Sequence, residues 1–287
     1  MKSYKQKYSE AAQSSHKTRS VEGEELKQLQ DTLLEMLFDI YKVCLKYDLE
    51  CILLYGSALG AVRHKGFIPW DDDLDIGMTR RDYEKLKRVF KHELGERYIL
   101  DAPNYKGVPS CRFPKVLKKG TKFVEFEEED NDRACIKIDI FIIESVPDNR
   151  IISLFYGLFC TFLMFAGGYV QSFETAKKMH RRLGMRELIG KLFSFKTSAE
   201  WFNRFDRSGR RGRITTKRVG TPSGREHYFG GILEKNVYFP PSTGVFEGHE
   251  VLLPGNTDLY LKKIYGDYMT IPPEDKREKH YIEIIEF

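Results

Sequence analysis

The chain has 287 residues, 41% of them hydrophobic and 13% aromatic, which is ample for one large or two small domains and excludes a disordered chain. Lys and Arg number 47 against 42 Asp and Glu, a formal charge of +5 that favours anionic partners such as nucleotides, phosphorylated glycans or acidic lipid surfaces and gives no ground for nucleic-acid binding. Five scattered cysteines without CxxC spacing read as reduced core residues, not as a disulfide framework or a zinc site.

Residues 1–22 are polar and basic with no apolar core of the kind a signal peptide carries, so they read as a flexible arm on a cytoplasmic protein. From Glu24, the residues Leu26, Leu29, Leu33, Leu37, Ile40 and Cys44 recur at three and four, which predicts an amphipathic helix packed on a sheet and closed by Asp48. A short apolar strand, Cys51 to Tyr55, breaks at Gly56-Ser57. That turn offers backbone N–H groups and a hydroxyl to a phosphate, and a plain tight turn is the competing reading. The basic loop Arg63-His64-Lys65-Gly66 adds phosphate donors, Arg63 foremost. Trp70 reads as a packing residue.

Asp71, Asp72, Asp73 and Asp75 then put four carboxylates in five residues. The alternation Asp73-Leu74-Asp75-Ile76 predicts the edge of a half-buried strand with Asp71, Asp73 and Asp75 on one face. Residues two apart on a strand lie about 6–7 Å apart, so Asp73 and Asp75 can reach one hard divalent cation, and without a cation they repel. An EF-hand loop fails, because Ile76 stands where its turn needs Gly. A structural calcium turn of another kind stays open beside a catalytic magnesium site.

Thr79 with Asp82 predicts an N-terminal cap for a helix whose face is Tyr83, Leu86, Phe90 and Leu94. Short strands are expected at Tyr98–Leu100, Cys111–Leu117 and Thr121–Phe126, with Lys115 turned into a cleft. The acidic run Glu125–Asp132 reads as a solvated loop without chemistry, since its acids are consecutive. In the strand Cys135–Ile143, Asp139 is the only acid among Ile136, Ile138, Ile140 and Phe141. Either it is functional or it lies on an open face with Lys137 as partner.

Ile151–Val170 carries no charge over 20 residues and meets the length criterion for a membrane span. A buried or membrane-surface helix bent at Gly167-Gly168 is the preferred reading, with Lys177, Lys178, Arg181 and Arg182 following as contacts for acidic headgroups. The Lys- and Arg-rich stretch from Lys196 to Arg225 reads as a solvated loop or an acidic-acceptor surface. Strand pieces are expected around Tyr238–Pro241 and Phe246–Pro254, and a helix from Thr257 that ends at Gly266.

The run Gly60 to Asp73, GAVRHKGFIPWDDD, with a strand ending in Gly-Ser before it and Asp-apolar-Asp after it, resembles the LicD phosphocholine-transferase family. That family is related to the fukutin-type phosphotransferases within the polymerase-beta-type nucleotidyltransferase superfamily. The likeness runs from about Leu29 to His280, with a second cluster at Tyr260–Pro273 whose tyrosines read as core or as an enclosure for a quaternary ammonium. The resemblance implies an α/β (α+β) nucleotidyltransferase fold: a mixed sheet with flanking helices, a catalytic core over 23–150, and a C-terminal elaboration over 151–287 within the same domain. It implies Mg²⁺, or Mn²⁺ in its stead, held by Asp73, Asp75 and Asp139, the last as a third carboxylate from an adjoining strand. It also implies donor phosphates bound by Gly56, Ser57, Arg63, His64, Lys65 and Lys115. The donor would be a CDP-alcohol, CDP-choline first. The acceptor would be a cell-surface glycan (teichoic acid, lipopolysaccharide or capsule) or its lipid-linked precursor, with peripheral membrane contact. Two other functions stay open: nucleotidyl transfer from an NTP with release of pyrophosphate, and a non-catalytic, membrane-associated binding protein.

Overall fold

A computed structural model describes residues 15, 18–105, 111–126, 128–180, 182–210, 216–224, 226–277 and 280–287. Most of the expected N-terminal arm, Glu127, Arg181, Arg225 and the 211–215 part of the basic stretch lie outside these. Among the described residues the centre is a nine-stranded mixed sheet; seven strands run in the order 98–101, 115–118, 137–146, 75–79, 52–53, 249–253 and 242–246, and two more, 218–220 and 233–234, branch from the third. Helix α1 (Gly23–Lys46) lays the expected stripe, Leu26, Leu29, Leu33, Leu37, Ile40 and Cys44, into the main core. Each fully buried Leu or Ile contributes about 1.5–3 kcal/mol. Strand β1 (Ile52–Leu53) leads into helix α2 (Tyr55–Arg63), so Gly56-Ser57 is the first turn of a helix and not a free-standing turn.

Strand β2 covers Asp75–Thr79. The ladder therefore begins at Asp75, not at Asp71. Helix α3 (Arg80–Glu93) starts as expected, with the Thr79 hydroxyl accepting from the Asp82 N–H at 3.2 Å. Strands β3 (Tyr98–Asp101), β4 (Lys115–Lys118), β5 (Lys122–Glu125) and β6 (Lys137–Val146) follow. The apolar run around Asp139 forms β6, which pairs in parallel with β2 and antiparallel with β4.

Helix α4 (Arg150–Lys178) runs unbroken through Gly167-Gly168, contrary to the expected bend. Gly167 is there to admit a ring: a Cβ on it would stand 2.7 Å from Phe202 Cε1. Helices α5 (Met185–Phe193) and α6 (Ser198–Gly209) pack against α4 around a second apolar cluster that includes Cys160, Leu163, Val170, Trp201 and Phe205.

The chain then returns to the central sheet. Strand β7 (Arg218–Gly220) pairs with the end of β6, and β8 (Leu233–Glu234) pairs with β7. The hairpin β9 (Ser242–Phe246) and β10 (His249–Leu253) joins β1. Helix α7 (Thr257–Tyr265) ends at Gly266, whose φ of 68° suits glycine. Strand β11 (Ile282–Glu286) pairs with β5 in a separate two-stranded sheet. The buried guanidinium of Arg80, the first residue of α3, joins Glu144 of β6 and Asp206 of α6 and so ties the helical layer to the sheet.

Candidate active site

Asp75 and Asp139 are register partners on the parallel strands β2 and β6. Residues opposite one another in register face the same side of a sheet, so the two acids are neighbours. Asp73 precedes Asp75 by two, and the Asp139 N–H donates to the Leu74 carbonyl at 3.1 Å, continuing the alignment past the end of the ladder. The first turn of α2 supports this edge. The Ser57 hydroxyl oxygen accepts from the Asp75 N–H at 2.8 Å, and a Cβ on Gly56 would stand 2.9 Å from Asp71 Oδ2. Gly56 and Ser57 thus hold the acidic segment in position.

Asp72, Asp73 and Asp139 face a cavity of about 250 Å³ that also receives Lys115, Lys137, Glu125 and His280. Burial, reinforced by Asp72, Asp139 and Glu125 and opposed by His280, pushes the Asp73 carboxyl up to about 6. Burial, with Asp73, Asp139 and Asp71 adding to it, pushes Asp75 well above the usual carboxylate range. These are acids forced together with too little positive charge among them. Among the described residues, no group of three or more His, Cys, Asp and Glu side chains stands close enough to hold a metal ion as arranged. The donor set fits one nonetheless: Asp139 Oδ1 is buried without a hydrogen-bond partner, and the mutual repulsion of Asp73, Asp75 and Asp139 is what a divalent cation relieves.

Cations from other elements compensate part of this charge. Lys115 Nζ, the expected cleft residue, lies 3.7 Å from Asp139 Oδ1, near enough for attraction and too far for a hydrogen bond. Lys137, the partner considered for Asp139, pairs instead with Glu125. Glu125 therefore departs from its expected role as a loop acid. It ends β5 inside the cavity, and the Lys137 ammonium, against the effect of burial, holds its carboxyl down to about 2. Sequence reasoning missed His280 altogether. Its Nδ1 lies 2.6 Å from Asp72 Oδ1; burial opposes its charge, but that bond with the Asp72, Asp73 and Glu125 carboxylates holds the imidazolium well above the usual histidine range.

The basic loop is turned elsewhere. Arg63 Nη1 donates to the Tyr268 carbonyl at 2.7 Å and its Nε to His64 Nε2 at 3.0 Å, which fastens the C-terminal tyrosine cluster to α2. Burial, then the Arg63 charge, lowers the His64 pKa. Lys65 is exposed. Of the tyrosines, Tyr260 is a core residue whose hydroxyl accepts from the Tyr55 N–H at 3.2 Å, and Tyr268 donates to Asp258 at 3.0 Å. Trp70 lies under the Arg277 guanidinium, 4.1 Å from ring centroid to Cζ, beside a second cavity of about 330 Å³ that shares Asp72 and His280 with the first.

Residues 48–157, which contain both acidic strands, match the family model described as LicD/FKTN/FKRP, nucleotidyltransferase domain. The chain carries a LicD-family domain. Over 90% of its length, and 96% of the relative's, it is 26% identical to the lipopolysaccharide cholinephosphotransferase LicD of Haemophilus influenzae. Shorter matches of 38% identity join it to uncharacterized proteins of Rickettsia prowazekii, over 20% of this chain and 22% of that one, and Rickettsia typhi, over 23% and 22%. The LicD domain supplies Asp72, Asp73, Asp75, Lys115, Glu125, Lys137 and Asp139, while His280 and Arg277 come from beyond it.

Proposed function

We propose that this protein transfers phosphocholine, or a related phospho-alcohol, from a CDP-alcohol to a hydroxyl of a cell-surface glycan or its lipid-linked precursor, on a polymerase-beta-like nucleotidyltransferase fold. The observation that carries the reading is the pairing of Asp75 with Asp139, beside a cavity where Asp73 meets Lys115 and Lys137. The nearly full-length similarity to a lipopolysaccharide cholinephosphotransferase supports the choice of group and acceptor. Cytoplasmic residence belongs to the same reading, since the nucleotide donor is found there.

Mg²⁺, or Mn²⁺ in its stead, is the cofactor this reading requires, and Asp73, Asp75 and Asp139 are the residues that would hold it. A divalent ion held there would neutralise the donor diphosphate and polarise the reacting phosphoryl group. Lys115 and Lys137 supply further positive charge to the phosphates. The N–H groups of the first turn of α2, at Gly56 and Ser57, suit the same anion, whereas Arg63, bound to the Tyr268 carbonyl, fastens the C-terminal segment. Asp139 takes the acceptor hydroxyl proton through Oδ1, which has no hydrogen-bond partner and only the Lys115 ammonium 3.7 Å away. The acceptor oxygen then bonds to the choline-bearing phosphorus as the bond to the CMP oxygen breaks, and CMP leaves in line with the attack.

The test is incubation with Mg²⁺, CDP-choline and lipopolysaccharide or lipid-linked glycan, scored for CMP and for choline in the glycan. Release of pyrophosphate from CTP would instead support nucleotidyl transfer, the reading favoured by the name of the family's domain. Binding of CDP-choline without turnover would leave a non-catalytic binding protein.

A further inference from the structure

Helix α4 leaves one side bare. Gly157, Cys160, Leu163 and Val170 face the second core, whereas Ile151, Phe155, Leu158 and Phe162, spaced four, three and four, form the opposite stripe and are 46–67% exposed. On α5 and just beyond it, Met185, Leu188, Leu192 and Phe195 form a second apolar stripe, 54–81% exposed. The two helices are in contact: Gly190 of α5 seats against Tyr169 and Phe173 of α4, and the Phe162 ring lies 5.7 Å from that of Phe193. Soluble monomers rarely leave apolar helix stripes this exposed without a partner surface.

Charge decides what covers it. Residues 150–196 hold eight Lys and Arg against two Glu, a net +6 in a chain whose total is +5. Both glutamates are used locally: Glu174 accepts from the Ser198 N–H at 3.2 Å, and Glu187 accepts from the Gly184 N–H at 3.0 Å. Lys178 is bridged to Glu129 at 2.7 Å, while Lys177, Arg182 and Lys191 are exposed around the apolar face. A second copy docked on this face would bring two such positive segments together, an arrangement that like charges oppose. A spanning helix is also excluded, because β7 pairs with the end of β6 and β10 with β1, so the chain on both sides of α4 joins one sheet.

We infer that α4 and α5 lie in the plane of an anionic lipid surface, with the Ile151–Phe162 stripe sunk among the acyl chains and the basic residues against the headgroups. The inference holds whatever group the active site transfers. It is tested by sedimenting the full chain with vesicles of phosphatidylcholine alone or mixed with phosphatidylglycerol. The protein is expected to sediment with the mixed vesicles, and more weakly as salt rises. Phe155→Glu with Leu158→Glu lowers binding more than about tenfold, since it removes apolar burial and adds repulsion. Lys177→Glu with Arg182→Glu lowers it about fivefold or more per residue, and only on the anionic vesicles. All four positions are exposed, so an unchanged thermal melt shows that each variant is folded. Failure of the wild type to bind either vesicle, or undiminished binding by the Phe155 and Leu158 variant, overturns the inference. So does a dimer in solution that the same variant dissociates.

Discussion

Replacing Asp73 by Asn is expected to stabilise the metal-free protein at neutral pH while abolishing transfer. The Asp73 carboxyl rises from its ordinary 3.8 to about 6, through burial first and then Asp72, Asp139 and Glu125, with His280 opposing. The folded protein therefore holds that proton more tightly than the unfolded chain. Stability contributed at this position is present below pH 4, falls as the pH rises to about 6, and does not return above it. At about 1.4 kcal/mol per tenfold change in proton affinity, the displacement amounts to at most about 3 kcal/mol. Water entering the cavity reduces this to roughly 1–2 kcal/mol.

Asn keeps the shape and removes the charge. Denaturant unfolding at pH 4 and pH 7.5 in chelator should therefore give Asp73→Asn no advantage at the lower pH and about 1–2 kcal/mol at the higher. Magnesium reverses the order, because an ion at about 100 times its dissociation constant adds roughly 2.7 kcal/mol to the wild type and little to the variant. A metal-free variant less stable than the wild type at pH 7.5 would refute the reasoning, since the acid would then be a net stabiliser through His280. An equal response of both proteins to Mg²⁺ would refute it too.

Ser57→Ala strands the Asp75 N–H and should cost about 1–3 kcal/mol in urea unfolding, with kcat falling further than donor KM rises. Gly56→Ala drives a methyl against Asp71 and should raise the half-saturating Mg²⁺ concentration in a titration of activity. Arg80→Met leaves Glu144 buried without its cation and Asp206 with Arg210 alone, and should lower unfolding stability by about 3–5 kcal/mol. Lys115→Met removes the ammonium beside Asp139, so Mg²⁺ affinity by calorimetry should rise while KM for the CDP-alcohol also rises; a fall in Mg²⁺ affinity would count against competition between Lys115 and the ion.

The parts of the site that the sequence disclosed are those with a local signature. Asp73 and Asp75 alternate with Leu74 and Ile76, Asp139 is a charge in an otherwise apolar strand, and Thr79 stands three residues ahead of Asp82 at a helix start. The strand begins later than the alternation predicts because the Ser57 hydroxyl takes the Asp75 N–H that a neighbouring strand would otherwise have taken. Glu125 has the local sequence of the first member of a solvated run; what separates it from Glu128 and Glu129 is its place at the end of β5 inside the cavity, where Lys137 donates to it. His280 had no local signal at all. It reaches Asp72 across 208 residues because β11 pairs with β5, and non-local pairing of that kind leaves no mark on the flanking sequence.

The compensating charges reveal how the molecule is divided. The acids come from the segment before β2, from the first residue of β2 and from β6, whereas the cations come from β4, from the first residue of β6 and from the C-terminal segment. Concentrating Asp72, Asp73, Asp75 and Asp139 at one strand edge is unfavourable unless positive charge arrives from elsewhere in the chain. His280 supplies part of it from outside residues 48–157, and its neighbour Arg277 covers Trp70 at the second cavity. Residues 48–157 on their own therefore hold the acids without one of their counter-charges. The strand that follows, β11, is fixed to the fold along β5, whose last residue is Glu125. The C-terminal segment is thus a wall of the site, and through His280 it brings positive charge to Asp72 at the acidic edge.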